Sequence, residues 1–316
     1  MIVDLFAGPG GLDHGAELAG HPSVGIEWDA NAVATRVAAG LATVHGDVRT
    51  YGPADFPDAT VLAGGPPCQT FTIAGKGAGR AALDQVLLEV KRMAARDTGR
   101  RSFDDDRTGL VLEPLRWALA AIDMGRPYRA IVLEQVPAVL PVWDAYVEVL
   151  RAEGYMASCG ILEAERYGVP QTRRRAVLVA RRDGLVGLPA PTHRPWRRNL
   201  SGLESYLLPV VTMGDVLDRG PFTVISNYGT GGDPKNRGRR TSSEPAFTVT
   251  GKISRLRLVD PGGRELERLS PSEAGQLQGF PADWPWSGRD IPQQIGNACP
   301  PPLAAALIRA ALAPAV

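Results

Sequence analysis

One cysteine, one glutamate and two arginines in this 316-residue chain are of types that could act on a substrate. Cys68 follows Gly64-Gly65-Pro66-Pro67. The glycines permit unusual backbone angles and the prolines fix φ and remove donors, so the cysteine is presented on a stiffened turn. A free thiol has a pKa of about 8.5, and a site that uses it as a nucleophile must favour the thiolate. Taken alone, such a residue reads sooner as a buried structural cysteine. Glu134 closes the apolar run Ala130-Ile131-Val132-Leu133. A carboxylate there risks desolvation, which raises its pKa and suits a general acid; it reads equally as a salt-bridged strand end. In Gln171-Thr172-Arg173-Arg174-Arg175, side chains alternate along an extended chain, so Arg173 and Arg175 share one face. The plainer alternative is a solvated basic turn.

The elements that must position these groups follow from pattern. Thr60–Ala63 is a short apolar run that reads as a buried strand, which puts Cys68 where open α/β sheets bind ligands, beyond a strand's carboxyl end. Met1–Phe6 is a strand entering Ala7-Gly8-Pro9-Gly10-Gly11, with a helix over Leu12–Ala19. Strand, glycine turn and helix open a nucleotide-binding fold, although the spacing is not G-x-G-x-x-G; the turn points either to an adenosine-containing cofactor or to an ordinary βα connection. Val24–Asp29 is a second strand, where Glu27 could accept from ribose hydroxyls and Trp28 either stacks on an adenine or packs in the core. Asp47 ends a third strand, Thr43–Val48, as an acceptor for an amino group or as a turn cap. Helices are expected over Asn31–Leu41, Arg80–Arg96, Leu110–Ile122 and Trp143–Glu153, and strands that could form a hairpin over Tyr155–Ala164 and Arg175–Ala180. The long irregular stretch Gln69–Arg107 is expected to close over the site.

Composition sets the class. Charged residues are 22% of the chain, and no apolar run is long enough to span a membrane, nor is there a basic-then-apolar leader. Cys68, Cys159 and Cys299 lack metal-ligand spacing, which fits a reducing cytoplasm or the nucleoid, with no metal and no membrane expected. The net charge of +1 conceals thirteen Lys and Arg against six Asp and Glu between residues 181 and 257. That is either a nucleic-acid surface or a solvated basic face. Prolines break up this same region, so residues 183–262 read as a small, loop-rich second domain, and residues 1–182 plus 263–316 as the main one. Its Arg pairs, Arg197-Arg198 and Arg239-Arg240, could neutralise phosphates. Ser270-Pro271-Ser272-Glu273 starts a helix that ends near Gly279, and Leu303–Leu312 is an apolar helix expected to pack back on the sheet.

Eight segments in order resemble the cytosine-C5 DNA methyltransferases. They are DLFAGPGG (Asp4–Gly11), GIEWD (Gly25–Asp29), GDVR (Gly46–Arg49), GGPPCQ (Gly64–Gln69), LEQV (Leu133–Val136), QTRRR (Gln171–Arg175), LQGFP (Leu277–Pro281) and QIGNACPP (Gln294–Pro301). The resemblance implies an α/β fold with a doubly wound, mostly parallel, Rossmann-like sheet that binds S-adenosyl-L-methionine, with S-adenosyl-L-homocysteine as product, and a smaller target-recognition domain. It implies that Phe6, Gly8, Gly10, Glu27, Trp28, Asp47, Val48, Pro67 and Asn297 hold the cofactor. Cys68 would be the nucleophile, Glu134 the acid, and Arg173 and Arg175 its support. The implied partner is double-stranded DNA, bound by a monomer in the cytoplasm at the nucleoid, with the target cytosine flipped out. Departures are Gln135 where the family has Asn, Ser272 and Gln276 where it has Arg, Cys299 where it has Val, and a longer stretch between Lys76 and Asp106. An RNA-methylating relative, a non-catalytic DNA-binding relative and an enzyme using a modified donor are the alternatives; the Cys-Phe-Thr signature of the RNA branch is absent.

Overall fold

The computed structural model describes residues 1–67, 78–97, 106–196, 204–226 and 237–314. Cys68 and the glycine-rich stretch after it, the polar run 98–105, Arg197-Arg198 and the loop from Asn227 lie outside the described residues.

Seven strands form the main sheet: β1 (Ile2–Leu5), β2 (Ser23–Glu27), β3 (Thr43–His45), β4 (Val61–Gly64), β5 (Ala130–Gln135), β6 (Met156–Glu163) and β7 (Arg174–Arg181). Their spatial order is β3-β2-β1-β4-β5-β7-β6. β1 to β5 run parallel, while β7 lies antiparallel to both β5 and β6. The pairing of Met156 with Arg181 through to Glu163 with Arg174 makes the expected hairpin. β1, β4 and β5 are buried along their whole length, as apolar strands covered on both faces must be. The strand order turns between β1 and β4, and a crevice opens there beyond the carboxyl ends.

The helices are α1 (Gly11–Leu18), α2 (Ala30–Ala38), α3 (Ala78–Ala94), α4 (Glu113–Asp123), α5 (Leu140–Ala152), α6 (Pro271–Leu277), α7 (Ile291–Asn297) and α8 (Pro301–Leu312). One face of the sheet is filled by α3, α4 and α5 through Val90, Leu115, Trp117, Trp143 and Tyr146. The other is covered by α1 and α8 through Leu12, Leu303 and Leu307. The helix expected over Leu110–Ile122 begins instead as a 3₁₀ turn at Leu110–Leu112. Pro114 has no N–H to give to the Leu110 carbonyl, so the α-helix starts around that proline.

A second, three-stranded antiparallel sheet pairs β8 (Thr223–Ser226) with β9 (Arg239–Thr241) and β10 (Leu256–Val259). Its core of Phe222, Val224, Leu256 and Leu258 is continuous with Ala274 and Leu277 of α6 and Ile295 of α7. Ser270 and Glu273 cap α6 reciprocally, and Gly279 past its end has φ +93°. At Gly296 of α7 a side chain would collide with the backbone of Thr250 and Gly251, so helix and loop cross backbone to backbone.

Candidate functional site

The carboxyl ends of the parallel strands surround a cavity of about 880 Å³. Its wall takes Phe6 and Gly8 from the turn after β1, Glu27 and Trp28 from β2, Asp47 and Val48 after β3, and Pro67 after β4. Glu134 of β5, Arg173 and Arg175 at the start of β7, and Asn297 of α7 complete it. Twelve of the thirteen residues singled out from the sequence lie within the described residues, and these eleven line the one cavity, Gly10 alone standing apart. Gly10 caps α1 in a left-handed conformation (φ +99°), where a side chain would run into Leu41. Its work is to turn the chain.

The turn after β1 is held from behind. Arg36 of α2 is fully buried and donates to Asp13 of α1 at 2.5 Å, to the Thr43 hydroxyl at 3.0 Å and to the Ala42 carbonyl at 3.1 Å. It thereby ties α2 to α1 and to the entry of β3. Burial, helped by the Asp13 charge, holds the carboxyl of neighbouring Asp4 well above the usual carboxylate range. In front, Glu27 accepts from the backbone N–H of Gly8 at 2.7 Å, Trp28 at 2.9 Å and Asp29 at 2.7 Å. A carboxylate has about four acceptor positions, so roughly one is left for a ligand hydroxyl. Gly8 has φ +55° with open space where a side chain would be, and Trp28 is 72% exposed, so its ring is a wall of the cavity and no part of the core. Asp47 is gripped by Arg49 in a fork, Nη2 at 2.6 Å and Nε at 3.0 Å, and these bonds pull its pKa down. An amino group coming to Asp47 must share that carboxylate with Arg49.

At the other end of the cavity, Glu134 is buried and Arg175 Nε lies 2.6 Å from its Oε1. Gln135, the next residue, donates through Nε2 to the Pro66 carbonyl, while its Oε1 accepts from the Val136 N–H. The longer side chain thus braces the turn that leads to Cys68 against β5. Arg173 behaves differently from Arg175. It is buried and donates to the carbonyls of Val249 at 3.0 Å, Gly296 at 2.9 Å and Ala298 at 3.2 Å. Arg175 thus meets the glutamate, while these bonds of Arg173 tie the second sheet's loop and the end of α7 to the cavity wall. Asn297 Oδ1 accepts from Gln293 at 2.7 Å.

Several wall residues were given no site role from the sequence: Leu110, Arg49, Asp290, Gln293 and Cys299. Asp290 carried a readable signal only in its neighbourhood, four residues before Gln294; its left-handed backbone (φ +51°) is visible only in the fold. Cys299 is buried, and burial pushes its thiol well above the ordinary range. Among the described residues no three His, Cys, Asp or Glu side chains gather as a metal ion would require, and no helix is long and apolar enough to cross a membrane.

Comparison with known proteins gives the family. Type II methyltransferase M1.HphI of Haemophilus parahaemolyticus is 27% identical over 351 residues, covering 98% of this chain and 86% of that protein. Type II methyltransferase M.NaeI of Lentzea aerocolonigenes is 29% identical over 338 residues, covering 98% and 75%. The crystal structure of the S. pombe Dnmt2 methyltransferase superposes with a TM-score of 0.63 at 18% identity, over 99% of this chain and 98% of that one, which is a likeness of fold. The family model for C-5 cytosine-specific DNA methylase matches residues 1–195 and 221–313, which include every segment that builds the cavity, and the chain belongs to that family.

Proposed function

We propose that this methylase modifies one short DNA sequence by adding a methyl group to carbon 5 of a cytosine flipped into the cavity, through a covalent bond to Cys68. The observation that carries the reading is the single cavity shared by Glu27, Trp28, Glu134 and Arg175. It joins a nucleotide-type cradle to a buried acid.

The residues present fit S-adenosyl-L-methionine: an open rim at Gly8, an exposed indole at Trp28 and a carboxylate at Glu27 fixed by three amides. Phe6, Gly8, Glu27, Trp28, Asp47, Val48, Pro67 and Asn297 would hold it, and when bound it supplies an electrophilic methyl group. Carbon 5 of cytosine is a poor nucleophile. The Cys68 thiolate adds to carbon 6 and shifts ring electrons toward carbon 5. Glu134 gives a proton or a hydrogen bond to N3 and offsets the charge that this addition builds. Arg175 keeps the carboxyl oriented and adds positive charge near the base. A base then takes the carbon-5 proton, and the thiolate leaves. Because none of these groups can reach carbon 6 inside a duplex, the cytosine must leave the stack. Residues 183–262 serve as the target-recognition domain and the remainder as the catalytic one.

Cytosine-methylation mapping of DNA from cells that express the chain, beside Cys68→Ala, tests the reading. One short sequence methylated only with the wild type is the expected result. Methylation that persists in Cys68→Ala removes the covalent step, and unmodified DNA with the wild type removes the activity.

A further inference from the structure

Arg240 belongs to the basic stretch whose arginine pairs could neutralise phosphates, yet its half-buried side chain is engaged by the protein itself. Its guanidinium carbon lies 4.3 Å from the ring centre of Trp196 and 4.3 Å from that of Phe247. Two flat faces therefore hold a planar cation, the arrangement an arginine is suited to. From that position Nη1 donates to the Thr172 hydroxyl at 2.9 Å and to the carbonyls of Pro245 at 2.9 Å and Ala246 at 2.7 Å. Burial lowers its pKa from the arginine value, as a cation withdrawn from water requires.

Thr172 is the middle contact of a seam. Its N–H donates to the Ala246 carbonyl at 2.9 Å, and its own carbonyl accepts from the Thr248 hydroxyl at 2.7 Å. One residue earlier, Gln171 Oε1 accepts from the Val249 N–H at 2.8 Å. One residue later, Arg173 donates to the Val249 carbonyl at 3.0 Å. Alternation along the strand explains the division of labour: Arg173 and Arg175 line the cavity, whereas Thr172 does not. The segment that carries the cavity arginines is gripped from its back by Arg240.

We propose that Arg240 is a positioning residue for methyl transfer, setting through Thr172 the register in which Arg175 meets Glu134. The inference rests on reading this cavity as the methylating site. Because Arg240 is on β9 and Arg175 on β7, it also makes the second sheet part of the catalytic apparatus.

The test compares wild type, Arg240→Ala, Arg240→Lys, Thr172→Val and the double variant Arg240→Ala/Thr172→Val on a duplex carrying the mapped sequence. Single-turnover rates, substrate KM values and DNA affinity over a salt series are measured, with thermal melting to follow the fold. Arg240→Ala and Thr172→Val should each slow turnover about 10- to 100-fold, the loss expected from a small misplacement of a catalytic group. DNA affinity and its salt dependence should not change, the double variant should be no slower than the slower single, and Arg240→Lys should fall between. A salt slope shallower by about one with turnover intact would make Arg240 a phosphate ligand and overturn the proposal. So would unchanged rates, or losses that multiply in the double variant. If Arg240→Ala does not fold, Thr172→Val, which removes one hydroxyl, decides alone. A wild type that methylates nothing overturns the functional reading itself, whereas an active wild type isolates Arg240.

Discussion

Three backbone amides already converge on the Glu27 carboxylate, which therefore shapes the turn as well as offering an acceptor to a ligand. Glu27→Gln keeps the volume but turns one acceptor into a donor facing an N–H. Titration with S-adenosyl-L-homocysteine should show affinity falling about 10- to 100-fold, the worth of one or two hydrogen bonds to a charged group, together with a lower melting temperature. The cysteines make a second prediction. Burial pushes the Cys159 thiol up to about 12, the Asp144 carboxylate beside it adding to the rise, and drives Cys299 well upward too. A raised thiol pKa keeps the proton on sulfur, so at pH 8 neither residue supplies thiolate. A thiol reagent at that pH should label Cys68 at once and the other two only after denaturation; rapid labelling of all three in the native protein would contradict this. At this scale the sequence was informative where chemistry is local to a motif, as for Glu134 and Arg175. It gave Arg173 the same role as Arg175 and could not foresee its acceptors, which lie 76, 123 and 125 residues further along the chain. No spacing rule reaches that far, and only the fold separates two arginines that look alike.

Among the elements, the parallel strands were readable because each is a short apolar run ending in a glycine, a carboxylate or a proline pair. The helix α3 was readable from periodicity, but its anchorage was not. Arg96, just past its end, pairs with Asp123 at the end of α4 and with Glu153 at the end of α5, at 2.8 Å each. Long-range pairing of that kind leaves no periodic trace. Two substitutions test how the elements are joined. Ser270→Ala breaks the capping box of α6 and should cost about 1 kcal/mol, read as a small fall in the denaturation midpoint. Gly296→Ala should cost more, about 1–3 kcal/mol, because the added methyl meets the backbone of Thr250 and Gly251 where no flexible side chain can give way. Equal effects of the two would mean that the crossing of α7 and the loop relaxes easily.

For the molecule as a whole, the concentration of charge between residues 181 and 257 overstates what DNA can use. Arg219 is paired with Glu273, Arg257 with Glu265, Arg181 with Asp183, and Arg240 is enclosed by two rings. With those four set aside, nine of the thirteen remain in the basic count, and log affinity plotted against log salt should have a slope no steeper than about −8 rather than about −12. A flat response would refute DNA binding through this surface. That a smaller second sheet exists was legible as a change of texture along the chain. What texture did not show is that α6 and α7 are packed into the core of the second sheet while α7 also lends Asn297 to the cavity. That sharing follows from which apolar faces remain uncovered once the main sheet has closed, a property of the assembled solid.

The cavity wall joins Phe6 to Asn297. On a ribosome adding about 5–20 residues per second, the first of these waits on the order of 15 to 60 s for the second. During that interval the nascent chain acquires first its glycine turn, then its glutamate and its arginines, without the helix that closes them into one site. Translation that stalls short of α7 therefore yields fragments whose cavity lacks one wall, whatever else of the fold they have formed.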